Sequence, residues 1–267
     1  LSGVEVRFFD AQLRSDTRPD DDLRNLAYFG TTHAVITGNP DVAVQTADEL
    51  VRYLREIATT ERSRLERMGI RTYTGLGILP QQRPRRTHHE FWRELPRLLA
   101  VDGVVAVGEI GVWRDQTPQW DLFCRQVELA ATLNLPIIIT PPTDLRVNMT
   151  FKMMKRLDEL GFPPNRVVFN HAEIRTLETI LVEGYFASLT VGAYHLDAQT
   201  ARELAHANRQ YKDRIMLNSG LREGLADILA AAKTLEVMSE NEDEALIASV
   251  TFDTAFDFFV GSTGSPI

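Results

Sequence analysis

Short apolar runs alternate along this chain with longer stretches in which apolar positions recur every three or four residues. The short runs Val4–Asp10, His33–Thr37, Arg71–Ile78, Val104–Gly108, Ile137–Thr140, Val167–Asn170, Tyr185–Thr190 and Ile215–Asn218 predict eight strands. Most are continuously apolar rather than alternating, as parallel strands covered on both faces require. The stretches between them read as helices. Ala47, Leu50, Val51, Leu54, Ile57 and Ala58 make one stripe at helical spacing, in a helix predicted to run on to Met68 before Gly69 ends it. Thr117-Pro118 reads as a cap followed by Pro at the first helical position, with Phe123, Val127, Ala130 and Ala131 turned inward until Asn134. Lys152–Leu160 stops at Gly161, with Pro163 and Pro164 beyond. Asn241, with Glu244 three residues on, reads as the capping box of a last helix carrying Leu246, Val250, Phe256, Phe259 and Val260. That helix is expected to cover the exterior or the floor of the sheet.

Eight strand–helix repeats in 267 residues suit an α/β fold, a (β/α)8 TIM barrel of about 250 residues with an additional C-terminal helix. No linker or low-complexity stretch divides the chain, so residues 1–267 are expected to form one domain. With 44% apolar residues, disorder is a poor reading. The formal charge of −8 argues against a nucleic-acid groove covering the whole surface, although a local basic patch is compatible with it. A single cysteine, Cys124, rules out an internal disulfide and suits a reducing, cytoplasmic setting. It lies among apolar residues of a predicted helix, where a buried filler is the ordinary role. No apolar run approaches the roughly 18 residues needed to span a bilayer. The chain opens on Leu1 without a basic-then-apolar leader, and the lack of Met leaves room for a segment ahead of it.

In a barrel of this kind the loops after the strands share one face, so strand ends select the residues that can converge. They are Asp10 to Arg14, Glu109, Thr140, His171, the Tyr194-His195 loop and Asn218 to Gly220. Glu109 and His171 are the one pair among them with obvious ligand or acid–base chemistry. Arg14, Arg18 and the loop Arg83-Pro84-Arg85-Arg86-Thr87-His88-His89 also follow strands and could ring that face as an anion site, against the plainer reading of a solvated loop. His88 and His89 are adjacent and point apart on a helix, which disfavours a metal pair. His33 and His206 read as structural or surface residues, and Trp113 and Trp120 as pocket walls or helix packing. No glycine-rich phosphate loop, nucleophile elbow or paired-cysteine site is present.

Several motifs, in order and at suitable spacing, resemble the TatD branch of the amidohydrolase superfamily, in particular its archaeal metal-dependent TIM-barrel hydrolases. Gly108-Glu109-Ile110-Gly111 keeps the family's Gly-Glu-Ile-Gly, and Asn170-His171-Ala172-Glu173 keeps its later His. The family's Asp-Ala/Thr-His-x-His reads Asp10-Ala11-Gln12-Leu13-Arg14. Its Leu-Pro, apolar run and His read Leu135-Pro136-Ile137-Ile138-Ile139-Thr140, and its Asn-Ser-Asp reads Asn218-Ser219-Gly220. Gly184 to Val191 is similar to the family's seventh strand. The resemblance spans roughly residues 5 to 260.

It implies a metal-dependent hydrolase, but of six positions that would carry ligands only Glu109 and His171 keep a ligand-type residue. A hydrolytic centre needs about three or four protein ligands and an open position for water. Gln and Thr are weak donors, and the Asp replaced by Gly220 would have served as ligand and base. The leading expectation is a degenerate metal site with no cofactor, in a non-hydrolytic pseudoenzyme that binds a small ligand, an anion among the options, or a protein partner. Gln12, Arg14, Glu109, Thr140, His171, His195 and Gly220 are its candidate binding residues. The alternative is a surviving hydrolase of phosphoester or amide bonds, using Zn, Mn or Mg in a site rebuilt with Asp10, Asp16 or His195, with Glu109 and His171 catalytic. Nuclease action, known in the TatD branch, is weakened by the lost ligands and the acidic balance. Without its dication Glu109 would be a costly unpaired carboxylate. Arg14 is expected to neutralise it, with Gln12 and Thr140 bonding the rest.

Overall fold

The computed structural model describes residues 7–82, 88–221 and 227–261. Eight parallel strands follow one another in chain order: β1 (Phe8–Leu13), β2 (Thr31–Thr37), β3 (Arg71–Leu76), β4 (Val104–Ile110), β5 (Ile137–Ile139), β6 (Val167–Phe169), β7 (Phe186–Thr190) and β8 (Ile215–Asn218). The seam between the last strand and the first is stitched by Arg14 N to Leu221 O at 2.9 Å and Gly220 N to Gln12 O at 3.2 Å. Together they make a nearly closed TIM barrel.

Helices fill the crossovers: α1 (Asp20–Tyr28), α2 (Ala47–Glu56), α3 (Arg62–Arg67), α4 (His88–Leu99), α5 (Thr117–Leu133), α6 (Arg146–Glu159), α7 (Leu177–Val182) and α8 (Ala198–Ala207). After β8 come α9 (Ala230–Asn241), α10 (Glu244–Ala248) and α11 (Thr254–Phe259). A capping box starts α2: the Thr46 side chain accepts from Glu49 N while Glu49 reaches back to the Thr46 backbone. The predicted run to Met68 is present as α2, a π-helical turn over Ile57–Glu61, and α3.

Several details differ from the sequence pattern: Gln116, not Thr117, is the cap residue of α5, and α6 starts at Arg146 rather than Lys152. The first strand is shifted to Phe8–Leu13, with residues 4–6 outside the described range. The seed of the final helix is corrected from Asn241 to Asp243: Asn241 ends α9, and the Asp243 carboxylate accepts from Leu246 N to cap α10. Ala131 is exposed on α5, and Gln126 takes the buried place, its amide bonding the backbone of Ile78.

The interior of the barrel and its outer shell are separate apolar cores. Phe8 and Leu13 belong to the shell under the helices, and Phe9 and Ala11 to the interior. Phe8 and Leu13 are five residues apart, so strict alternation would put them on opposite faces. A register shift between Asp10 and Leu13 restores the phase. A second shift, between Gly108 and Ile110, puts Val107 and Ile110 both in the shell and leaves Glu109 to the mouth. The peptide between Gly108 and Glu109 is cis. A Cβ on Gly108 would meet Ile138 Cβ at 2.5 Å, so only glycine permits this strand approach.

The other end of the barrel is shut by the C-terminal helices. Phe252, Ala255, Phe258 and Phe259 pack against Phe9, Val35, Ile138, Val168 and Met216. Both expected placements occur: Leu246 and Val250 join the outer shell, and Phe259 closes the floor. Among the described residues no helix is long and apolar enough to cross a membrane.

Candidate functional site

Glu109 is 4% exposed and lies at the centre of the mouth, with both carboxylate oxygens occupied by donors. Arg14, 5% exposed, meets it with two parallel bonds, Nε to Oε1 at 3.0 Å and Nη2 to Oε2 at 2.6 Å. Thr37 Oγ1 donates to Oε1 at 2.7 Å and Thr140 Oγ1 to Oε2 at 2.6 Å. Asn170 Nδ2 in turn donates to Thr140 Oγ1 at 3.2 Å. Burial alone would raise the Glu109 carboxyl, but the Arg14 charge and the bonds from Arg14, Thr140 and Thr37 hold it below the ordinary carboxylate value. Gln12, expected as one of these donors, is not: both of its side-chain amide atoms are buried without a partner among the described residues. Thr37 takes that place. Its only sequence signal was its position at the end of a strand.

A second buried carboxylate fastens the seam below. Asp10 Oδ1 accepts from Gln12 N at 3.2 Å and Ser219 N at 3.0 Å, and Oδ2 accepts from Ser219 Oγ at 2.5 Å. Burial pushes its carboxyl up to about 6 despite those bonds. Asp16 accepts from the Tyr53 hydroxyl at 2.6 Å, and burial raises its carboxyl too. Both are held by frame residues, Asp10 by Ser219 and Asp16 by Tyr53.

His171 and His195 come together although 24 residues separate them. Their rings stack at 4.8 Å, 1° from parallel, and His171 Nδ1 lies 2.8 Å from Thr190 Oγ1. A Cβ on Gly220 would fall 2.6 Å from Thr190 Cγ2 and 3.7 Å from His195 Nε2. The space that a side chain would need there is taken by Thr190 of β7.

Other candidates lie away from this centre. Arg18 bonds Asp22 at 3.2 Å. Residues 83–87 and the side chains of His88 and His89 lie outside the described residues. His33 is half-buried at the floor, 4.9 Å from the Phe252 ring, and burial takes its imidazole down to about 4. His206 pairs with Glu242. Trp120 packs on the core and donates to Asp115 at 2.7 Å, while Trp113 Nε1 is buried without a partner among the described residues. Cys124 is half-buried, and burial raises its thiol, which suits a filler and not a nucleophile.

The residues present do not fit a catalytic divalent ion. Both Glu109 oxygens are saturated by donors, and the nearest charge is a guanidinium that would repel a dication. Gln12 and Thr140 are neutral, and Gly220 has no side chain. Among the described residues no group of three or more His, Cys, Asp or Glu could hold a metal ion.

The fold and the order of the strand-end motifs nonetheless have clear relatives. The sequence profile described as TatD related DNase matches residues 16–221. An uncharacterized metal-dependent hydrolase of Methanocaldococcus jannaschii is 26% identical over 243 residues, covering 90% of this chain and 95% of that protein. The TatD-like protein of Archaeoglobus fulgidus superposes with a TM-score of 0.78 at 23% identity, covering 94% of this chain and 99% of that one. The phosphotriesterase homology protein of Escherichia coli, solved with phosphate in its active site, reaches 0.70 at 14% identity, with 96% and 100% covered. Those two structures bear on the fold alone. The profile spans most of the chain, from the loop after β1 to the end of the β8 segment, and the protein belongs to the TatD-related DNase family.

Proposed function

We propose that this protein is a non-hydrolytic member of its family, a pseudoenzyme whose barrel mouth binds a small ligand or a protein partner. The observation that carries the reading is the Arg14–Glu109 pair. A fixed organic cation meets the carboxylate through two bonds, where the family's hydrolases would bring a dication and its water. Hydrolysis by that route also needs a base for the attacking water, and Gly220 offers none. Gln12, Arg14, Glu109, Thr140, His171, His195 and Gly220 line the mouth in this reading, and no metal cofactor is required. The formal charge of −8 disfavours nucleic acid as the partner. The single cysteine suits a cytoplasmic setting.

The competing reading, an active phosphoester or amide hydrolase with an altered divalent-metal site, draws on the description of the Methanocaldococcus jannaschii relative as metal-dependent and on Glu109 and His171. Elemental analysis of the purified protein, with turnover of p-nitrophenyl phosphate, an aryl amide and DNA in added Zn, Mn or Mg, separates the two. The expected result is metal well below one equivalent and no turnover that Glu109→Gln or His171→Ala abolishes. One tightly held Zn, Mn, Fe or Ni per chain, with turnover that those variants remove, overturns the proposal.

A further inference from the structure

A cavity of about 180 Å³ opens between the loops that follow β6 and β7. Arg146 enters it from the start of α6, His171 and Glu173 from the loop after β6, and Thr190, Tyr194 and His195 from the end of β7 and beyond. The stacked rings of His171 and His195 give it one flat polar wall. His171 sits at φ +56°, a left-handed conformation uncommon for a residue with a side chain, which turns its ring off the line of the strand. Ala172 and Leu196 add apolar surface. At the rim, Tyr194 is 67% exposed.

Most polar groups of this lining can donate, although His171 Nδ1 and Thr190 Oγ1 already bond each other. A guanidinium, two imidazoles, a phenol and a hydroxyl stand against one carboxylate, Glu173, which already accepts from Arg146 Nη1 at 3.2 Å. Such walls suit an oxyanion, and the exposed Tyr194 ring at the rim suits a flat hydrocarbon body. Glu173 sets the limit on charge: its own negative charge stands in the wall, which a monoanion tolerates and a dianion is repelled by. We propose that this cavity binds a small organic acid, a carboxylate monoanion on a flat apolar body. The site deepens the ligand-binding reading above by naming the ligand class and the residues that select it.

Isothermal titration with benzoate, phenyl phosphate and benzyl alcohol tests it. Benzoate should bind saturably at one site, with phenyl phosphate and benzyl alcohol each weaker by about ten-fold or more, since one lacks the right charge and the other lacks the oxyanion. Arg146→Gln and Tyr194→Ala should each weaken benzoate by roughly five- to ten-fold, as loss of a charge-assisted bond or an aromatic wall does. Glu173→Gln should narrow the gap between phenyl phosphate and benzoate. Tyr194 is exposed, so its variant keeps the fold, and thermal melts confirm this for all three. Failure of benzoate to bind at millimolar concentration, equal binding of benzyl alcohol, or unchanged affinity in Arg146→Gln overturns the site. Tighter binding of phenyl phosphate than of benzoate overturns the monoanion class. Metal content and turnover are read without benzoate. A metal-loaded, active protein that still bound benzoate would therefore refute the pseudoenzyme and keep this site.

Discussion

Arg14 and Glu109 depend on each other in a way that neither residue's type alone conveys. A buried pair is close to neutral for stability when intact, yet stripping one partner typically costs about 3–5 kcal/mol because a charge is left without compensation. Arg14→Ala should therefore destabilise by that order in denaturant melts, and adding Glu109→Gln should recover a substantial part. Additive losses would show that the two side chains do not share an energy. Gly220 makes a second prediction at this scale. At φ +52°, with Thr190 Cγ2 2.6 Å from where a Cβ would stand, Gly220→Asp should cost about 1–3 kcal/mol from overpacking and backbone strain. The substitution adds a carboxylate where the packing leaves it no room. Calorimetric titration with Zn should show no gain of a stoichiometric site, and a gain would mean that β7 yields more readily than its packing indicates.

The C-terminal helices act as a plug, and the plug is aromatic. Phe259 is fully buried against the barrel interior, with its ring 6.2 Å from that of Phe9. Truncating such a ring commonly costs about 3–5 kcal/mol through lost burial and the cavity left behind. Phe259→Ala should lower the urea midpoint accordingly while leaving the contacts of Glu109 at the opposite end intact, as NMR of the mouth residues would report. A loss confined to α11, with the barrel melting as before, would mean that the floor is not part of the cooperative unit. The bulges at Asp10–Leu13 and Gly108–Ile110 matter at the same scale. Each adds a step to a strand that otherwise points successive side chains to opposite faces. Each lies directly before or around a residue of the ion pair.

For the molecule as a whole, two buried carboxylates pull the pH dependence of stability in opposite directions. The Asp10 carboxyl is raised from 3.8 to about 6 by burial, so the folded chain binds that proton more tightly than the unfolded one. Its contribution favours folding in acid and is lost as pH rises through about 6. Glu109 is lowered instead, so its contribution is present above the ordinary carboxylate value and fades as pH falls through its folded value. Asp10→Asn removes the first effect and keeps an acceptor for Ser219 N. The variant should gain on the wild type between about pH 4 and pH 7, by on the order of 2–3 kcal/mol. A gap between the two that does not vary with pH would show that Asp10 is ordinarily ionised in the folded state.

Local pattern determined the architecture. Eight apolar runs separated by helical stripes leave a sheet whose neighbours are consecutive strands, and right-handed crossovers then close it. The pairing of Arg14 with Glu109 was also legible, because motif spacing put both at strand ends facing one mouth and an orphan carboxylate there needs a cation. Tertiary structure decided the rest. Thr37, not Gln12, completes the Glu109 cage, because a bulge that a sequence does not announce sets which way each side chain after Asp10 points. Asp243 caps the final helix in place of Asn241 because α9 runs up to Asn241. His195 reaches His171 only because β6 and β7 are neighbours in space, and such long-range approaches have no periodic trace along the chain.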